Sequence, residues 1–248
     1  MFTAQQRILV TGASSGIGRA IALECLRQGA TVLACGRNVR RLDEARAQAC
    51  CPDRWINVPR DLLEDMEGLP RWIRGLCQEY GPLWGLAHSA GEGIMDSLRT
   101  YELSMARRHF DLAFHASILL AQGFCDRRNS CKGGALLFLT SASAVYPEKG
   151  HLIYGAAKAA LAAAAKAISQ EVAPRGVRVH CLAPGIVDTP LEEAAEAFMG
   201  PSYREEQLRD YPLGFGQAED VAHMAAFLLS EKARWITGQN YIMAGGRY

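Results

Sequence analysis

Short apolar runs alternate along the chain with longer segments in which apolar and polar residues share a helical period. Several of the short runs are apolar almost throughout, as expected for strands that are covered on both faces. The predicted strands are Arg7–Thr11, Thr31–Cys35, Trp55–Val58, Trp84–Ser89, Ala135–Thr140, Val177–Leu182 and Asn240–Met243. The predicted helices cover residues 16–28, 38–49, 64–80, 103–127, 152–173 and 218–230. This alternation predicts an α/β fold built on a doubly wound, seven-stranded parallel sheet of the Rossmann type.

The pattern indicates a single domain over residues 1–248, because no linker, low-complexity segment or internal repeat interrupts it. The exception is residues 183–217, where four prolines predict an irregular stretch. A loop of this length within a compact domain is usually functional. We therefore expect a substrate lid over about residues 186–216. Its expected substrate contacts are Phe198, Met199 and Tyr203, and its expected solvated face carries Glu192, Glu193 and Glu196.

Composition and charge exclude several classes of protein. Apolar residues make up 49% of the 248 residues and the net charge is +1, which leaves no electrostatic footprint for nucleic acid or an anionic membrane. The chain contains no run of eighteen apolar residues, so no membrane-spanning helix is predicted. The eight cysteines form no Cys-x-x-Cys pair and no metal-ligand spacing with histidine. We expect no metal site and reduced thiols in a cytoplasmic protein.

A glycine-rich turn joins the first predicted strand to the first predicted helix. It reads Thr11-Gly12-Ala13-Ser14-Ser15-Gly16-Ile17-Gly18. Glycines let the backbone turn tightly and approach a ligand closely, and the start of a helix offers unpaired N–H groups and the positive end of its dipole. The turn therefore predicts a pyrophosphate site that includes Gly12, Ser14, Ser15, Gly16, Ile17 and Gly18.

A second pattern, Tyr154-Gly-Ala-Ala-Lys158, places a phenol and an ammonium on one face of a predicted helix, with Ser141 upstream. A free tyrosine has a pKa of about 10, so proton exchange near pH 7 requires a shift of roughly three units, about 4 kcal/mol. A neighbouring cation supplies part of this stabilisation, and a serine hydroxyl can hold a substrate oxygen. The three residues fit acid–base chemistry on a carbonyl.

Together these motifs resemble the short-chain dehydrogenase/reductase family over about Arg7 to Gly246. Thr11–Gly18 is similar to its Thr-Gly-x-x-x-Gly-x-Gly cofactor motif, and Ser141, Tyr154 and Lys158 match its catalytic residues in type, order and spacing. The resemblance implies hydride transfer between a nicotinamide and a carbonyl or alcohol carbon. It also implies further cofactor contacts, namely Asp61 and Leu62 at the adenine, Ser89, Ala90 and Gly91 near the ribose, and Pro184, Gly185, Val187 and Thr189 near the nicotinamide.

The end of the second predicted strand bears on the choice of cofactor. An acidic residue there selects NAD in this fold, whereas here Gly36 is followed by Arg37. A guanidinium can bind the 2′-phosphate of NADP with two hydrogen bonds, and Ser14 can add a hydroxyl. We expect NADP(H), with NAD(H) as the alternative.

Two departures from the family concern the predicted site. His88 and Ser89 replace the first two residues of the family's Asn-Asn-Ala-Gly motif, and we expect His88 to be a buried structural residue. Ala113 occupies the slot of an asparagine that holds a water linking the lysine to solvent. Either the backbone carbonyl near Ala113 binds that water, or His115 or Ser117 substitutes, or turnover is slow. The competing interpretation is an NADP-binding regulatory or interaction protein.

The resemblance leaves the substrate broad, with a 3-oxoacyl thioester or another small ketone favoured. The family also predicts assembly. The alanine-rich segment Ala156–Ala167 permits close approach of helices, and relatives pair this helix across a twofold axis. We therefore expect a homotetramer, or else a homodimer.

Overall fold

A computed structural model describes all of residues 1–248 as one unit built around a seven-stranded parallel sheet in the order β3-β2-β1-β4-β5-β6-β9. The strands are β1 Arg7–Thr11, β2 Thr31–Cys35, β3 Trp55–Asn57, β4 Leu83–His88, β5 Ser130–Leu139, β6 Arg178–Pro184, β7 Val187–Asp188, β8 Gly216–Gln217 and β9 Gln239–Met243. Strands β7 and β8 form a separate parallel pair. The predicted fold class is confirmed.

Helices cover both faces of the sheet. They are α1 Gly16–Arg27, α2 Val39–Arg46, α3 Leu69–Tyr80, α4 Leu103–Phe110, α5 Ala116–Phe124, α6 Leu152–Val172, α7 Pro190–Met199, α8 Tyr203–Leu208 and α9 Ala218–Leu229. Ile8 and Val10 of β1 pack in one apolar layer with α1 and α9, while Leu9 packs in the other with α3, α5 and α6. Because successive side chains of a strand point to opposite faces, both layers draw on the same apolar strands.

The sheet topology fixes where a ligand can bind. Strands β1 and β4 are neighbours in the sheet but are separated in sequence by β2 and β3. At such a reversal of strand order the connections leave toward opposite faces, and a crevice opens at the carboxyl ends of the strands. The glycine-rich turn after β1 lies at this point.

Two predicted elements differ from the structure. The predicted helix 103–127 is divided by a π-helical turn, Asp111–His115, between α4 and α5. The predicted irregular stretch 183–217 contains α7, α8 and the β7–β8 pair. Pro190 is compatible with α7 because it occupies the first turn, where its missing N–H has no intrahelical partner.

Helix α6 and the turn that follows it, Leu152–Arg175, are long and apolar enough to cross a membrane by length and composition alone. In the fold this segment is a core helix instead. Ala157, Leu161 and Ala165 are at most 3% exposed, and Leu161 and Ala165 belong to the apolar layer beneath α6.

Candidate active site

One cavity of about 890 Å³ lies at the carboxyl ends of the central strands. Every site residue predicted from the sequence lines it, although these residues come from seven separate segments of the chain. They are Gly12, Ser14, Ser15, Gly16, Ile17, Gly18, Arg37, Asp61, Leu62, Ser89, Ala90, Gly91, Ser141, Tyr154, Lys158, Pro184, Gly185, Val187 and Thr189.

Two glycines of the glycine-rich turn leave no room for a side chain. Gly12 has φ +70°, and a Cβ added there would lie 2.8 Å from the Ala90 nitrogen. A Cβ on Gly18 would lie 2.3 Å from the Gly12 carbonyl oxygen. Both contacts involve backbone, so any larger residue would displace the turn or the end of β4.

The start of α1 presents free donors to the cavity. Ser15 occupies the N-cap position of α1, but its side chain makes no capping hydrogen bond. The first N–H groups of a helix have no intrahelical partner, and the helix dipole favours an anion beside them. The turn therefore fits the pyrophosphate of a dinucleotide.

Thr11, His88 and Ala90 connect β1 to β4 beneath this turn. The Thr11 hydroxyl lies 2.8 Å from Nδ1 of His88 and accepts the Ala90 N–H at 3.2 Å. His88 is 2% exposed, and burial, assisted by repulsion from Lys158, lowers its pKa to about 3. His88 is therefore the neutral structural residue that we expected.

The predicted catalytic residues come together from two elements. Ser141 follows β5, and Tyr154 and Lys158 lie one turn apart near the start of α6. The Lys158 Nζ lies 5.8 Å from the Tyr154 ring centroid and donates a 2.7 Å hydrogen bond to the Leu139 carbonyl. The Ser141 hydroxyl accepts the Ser143 N–H at 3.2 Å, which orients it at the end of β5.

Burial dominates the electrostatics of this pair. It raises the pKa of Tyr154, and the Ser141 hydroxyl acts in the opposite direction. It also lowers the pKa of Lys158 to about 8. Lys158 directs its ammonium to the Leu139 carbonyl, and in this structure the pKa of Tyr154 does not show the expected lowering by the lysine.

At the predicted adenosine end, Arg37 is an exposed cation with two acidic neighbours. Its guanidinium lies 3.9 Å from Asp61 and 3.5 Å from Glu92. A Cβ on Gly36 would lie 3.2 Å from the Ser14 hydroxyl oxygen. Position 36 thus carries no acidic side chain, and the groups next to it are the Ser14 hydroxyl and the guanidinium of the following residue, Arg37.

The segment predicted as a lid covers one side of the cavity. Phe198, Met199 and Tyr203 line the cavity as expected, together with Glu192. The prediction that Glu192 lies on a solvated face is wrong, because its Oε1 is buried without a hydrogen-bond partner. Burial accordingly raises the pKa of this carboxyl.

Glu196 and Glu193 also differ in whether they lie on the solvated face of the lid. Glu196 accepts a hydrogen bond from Arg204 and so is engaged within the lid, whereas Glu193 is exposed as predicted. The helical period of α7 explains the difference, since Glu192 and Glu196 are four residues apart and share one face of the helix.

Sequence reasoning missed the wall formed by Arg247 and Tyr248. Tyr248 stacks on Tyr146 with ring centroids 4.1 Å apart, and Arg247 lies 3.2 Å from the Glu148 carboxylate. Glu148, Arg247 and Tyr248 line the cavity, whereas Tyr146 does not. No local pattern marks them, because they meet only when the strand order brings β9 beside β6.

The π-helical turn places Ala113 in the core, at 2% exposure. The Ser117 hydroxyl donates to the Ala113 carbonyl at 2.9 Å, and His115 is exposed. Neither side chain lines the cavity, so neither replaces the family asparagine there, and the carbonyl already has one partner.

The chain resembles known proteins over nearly its whole length. A family model described as enoyl-(acyl carrier protein) reductase matches residues 12–247. A 3-oxoacyl-[acyl-carrier-protein] reductase of Aggregatibacter actinomycetemcomitans is 30% identical, with 97% of this chain and 98% of that protein covered. An NAD-dependent glycerol dehydrogenase of Listeria innocua is 28% identical, with 96% and 92% covered.

A solved structure shows the same architecture. The short chain dehydrogenase of Burkholderia cenocepacia, in complex with NADP, superposes with a TM-score of 0.87 at 27% identity, with 98% of each chain covered. The chain therefore belongs to the short-chain dehydrogenase/reductase family, whose members are oxidoreductases that act on CH–OH and C=O groups with NAD(P).

Proposed function

We propose that the protein is an NADP(H)-dependent oxidoreductase that interconverts a carbonyl and an alcohol, with a 3-oxoacyl thioester or another small ketone as substrate. The observation that carries the proposal is that Ser141, Tyr154 and Lys158 line the same cavity as the glycine-rich turn. A hydride donor and a proton donor can therefore reach one carbonyl group at the same time.

The cofactor site fits NADP(H) through residues present on this chain. The backbone of Gly12–Gly18 would hold the pyrophosphate at the start of α1. Ser14 and Arg37 would bind the 2′-phosphate, and Arg41 lines the same region of the cavity. Binding of a phosphate would draw Arg37 from Asp61 and Glu92, which its guanidinium contacts at 3.9 Å and 3.5 Å.

Three side chains would carry out the chemistry. When bound, the nicotinamide supplies or accepts the hydride. The Ser141 hydroxyl would hold the substrate oxygen, and Tyr154 would donate its proton to that oxygen during reduction. Lys158 would bind the ribose hydroxyls and, as its ammonium turns toward the phenol, favour the phenolate.

The walls near Tyr154 agree with a mixed apolar and polar substrate. Leu191, Phe198 and Met199 supply an apolar surface on the lid, and Lys149 and Gln207 add polar groups to the cavity. One relative is named a 3-oxoacyl-[acyl-carrier-protein] reductase and another an L-xylulose reductase. These names support thioesters and keto-sugars as the first compounds to test.

The decisive experiment is NADPH oxidation over a panel of ketones, 3-oxoacyl thioesters and keto-sugars. With a responsive substrate, Tyr154→Phe should lower kcat by a factor of about 100 or more because it removes the proton donor. NADPH affinity should persist, as measured by the fluorescence of bound NADPH. Near-normal turnover of Tyr154→Phe would refute the assignment, and a clear preference for NADH would refute the cofactor choice.

A second candidate is an NADP-binding protein with a regulatory or interaction role. Ala113 in the family asparagine slot favours it, since the chain lacks there the polar side chain to which the family resemblance assigns the link between the lysine and solvent. Tight NADPH binding together with failure across the substrate panel would support this candidate.

We also propose that the protein works in the cytoplasm as a homotetramer, with a homodimer as the alternative. Eight unpaired cysteines support a reducing compartment. The alanine-rich α6 supports close packing of a second copy, as the sequence suggests.

A further inference from the structure

Two histidine rings pack against Tyr154. The ring centroids of His109 and His151 lie 5.7 Å and 5.8 Å from the centroid of Tyr154. His109 Nε2 and His151 Nδ1 are both buried and have no hydrogen-bond partner. A buried polar atom left without a partner is unfavourable, so two of them beside one tyrosine call for a physical account.

The chemistry proposed for Tyr154 creates a need that these groups can meet. Each reduction removes a proton from the phenol, and this proton must be replaced from solvent. Lys158 is 7% exposed, and the only hydrogen bond of its Nζ to another residue goes to the Leu139 carbonyl. Tyr154 and Lys158 both line the cavity, so with cofactor and substrate in place this pair needs a polar route to water through neighbouring side chains.

The π-helical turn does not supply the route. Ala113 has no polar side chain, the Ser117 hydroxyl is bonded to the Ala113 carbonyl, and His115 is exposed. His88 contacts the Thr11 hydroxyl, which leads only to the Ala90 N–H at the end of the sheet, and its other ring nitrogen is buried without a partner.

His109 lies four residues before Ala113, which places it one turn earlier along the same helical segment. It is 4% exposed. Burial lowers its pKa most, repulsion from Lys158 lowers it further, and Glu92 and Asp96 act in the opposite direction. The lowered pKa favours the neutral imidazole, which can both accept and donate a proton.

The carboxylates provide the outer part of the route. Glu92 lines the cavity and its side chain is 34% exposed. Asp96 is 4% exposed, and both of its oxygens accept the Ile153 N–H at 3.1 Å, next to Tyr154. His109 follows Arg108, whose guanidinium donates to the Glu92 carboxylate at 3.4 Å, so the end of α4 that carries this imidazole also contacts the more exposed carboxylate.

We propose that His109 is a positioning residue that packs against the Tyr154 ring and relays protons between solvent and the Tyr154–Lys158 pair. The proposal rests on the proposed function. In one turnover the phenol O–H bond breaks and its proton forms the alcohol O–H. One solvent proton then binds one nitrogen of His109 while the proton on the other nitrogen leaves toward the pair, so that the phenol is restored. The imidazole is then neutral in its other tautomer, and a flip of the ring restores the first tautomer before the next turnover.

The first test compares His109→Phe with His109→Gln. Phenylalanine keeps the packing against Tyr154 but cannot relay a proton, so kcat should fall about tenfold or more, with a larger solvent deuterium isotope effect. Glutamine can donate and accept hydrogen bonds and should retain more of the turnover. His115→Phe, an exposed histidine in the π-helical turn, is the matched control and should behave as wild type.

The second test places the family asparagine on this background. Ala113→Asn should restore most of the turnover that His109→Phe loses, and it should change the wild-type enzyme little because His109 already provides the route. Wild-type kcat, pH profile and isotope effect in His109→Phe would overturn the proposal. Equal gains from Ala113→Asn in both backgrounds would overturn it too.

A readout that needs no turnover separates this proposal from the proposed function. Histidine labelled with ¹³C at Cε1 gives the pKa of His109 by NMR, and this pKa should rise in Lys158→Met because the repulsion is lost. An unchanged pKa would overturn the relay even if the protein is a reductase. Failure of the proposed function would instead show as full turnover in Tyr154→Phe. Thermal melts verify that each variant folds, and if His109→Phe does not, His109→Gln and the NMR titration decide.

Discussion

The ammonium of Lys158 is buried, and burial favours the neutral amine over the charged form. Its side chain is 7% exposed, and burial lowers its pKa to about 8. An unfolded lysine has a pKa of about 10.4, so between these values the unfolded chain binds more protons than the folded one. Stability therefore rises with pH through this window, and below it the buried ammonium costs about 3 kcal/mol.

Replacement of Lys158 by methionine should remove this cost at the residue scale. Below pH 8 we expect Lys158→Met to unfold at a higher urea concentration than wild type. Its free energy of unfolding should be higher by about 1–3 kcal/mol, which allows for the loss of the hydrogen bond to Leu139. The advantage should shrink as the pH rises from 8 toward 10.5, where the wild-type lysine becomes neutral. Urea titrations across this range, in the presence of a reductant, measure both effects.

Lys166 on the same helix is the control, because it is exposed. The difference in unfolding free energy between Lys166→Met and wild type should not depend on pH. If the difference in unfolding free energy between Lys158→Met and wild type stayed constant to pH 10.5, the burial of Lys158 would not be its cause.

At the scale of elements, strands and most helices could be predicted because apolar period and length are local properties. The interruption of helix 103–127 could not, since residues 103–122 contain neither Gly nor Pro and the π-helical turn arises where α6 packs beside it. Residues 183–217 were expected to be irregular because of their prolines. Pro190 instead begins α7, and Gly200, with φ +100°, ends it.

Arg204 joins the elements of the lid. Its guanidinium lies 2.9 Å from Asp188 of β7 and 2.5 Å from Glu196 of α7, while Arg204 itself belongs to α8. The side chain is 42% exposed, so solvent weakens these pairs. We expect Arg204→Gln to loosen the lid and to raise KM for the carbonyl substrate about two- to fivefold.

The affinity for NADPH should change little in this variant, because the glycine-rich turn lies on β1 and α1. Limited proteolysis should cut Arg204→Gln faster within residues 200–213. Arg209→Gln, a neighbouring exposed arginine, should leave KM and proteolysis unchanged. Equal KM values in both variants would show that the network does not hold the lid.

At the scale of the molecule, seven segments meet at one cavity because parallel strands end at the same edge of the sheet. The predicted cofactor and catalytic residues all lie at this edge. Their motifs could be located from sequence because each is a local pattern of residue types. The contributions of Arg247, Tyr248 and Glu192 could not, because they depend on how β9 and the lid pack rather than on local spacing.

Assembly is the remaining property of the whole molecule, and α6 supplies the argument. Ala157, Leu161 and Ala165 are buried, whereas Ala156, Ala163 and Ala167 lie exposed on the other face of the helix. Small side chains allow two helices to approach closely, so a second copy can pack on this face. Light scattering should give about four times the chain mass of 27.0 kDa, or twice that mass for a homodimer.

An arginine at the centre of this face should break the contact. Ala163→Arg should lower the measured mass to that of a single chain or a smaller assembly, because a long charged side chain cannot enter a close helix pair without a partner. Ala47→Arg, which changes an exposed alanine just after α2 on the other side of the sheet, should keep the wild-type mass. A wild-type protein that is monomeric at micromolar concentration, or a mass unaffected by Ala163→Arg, would show that the alanine face of α6 does not form the interface.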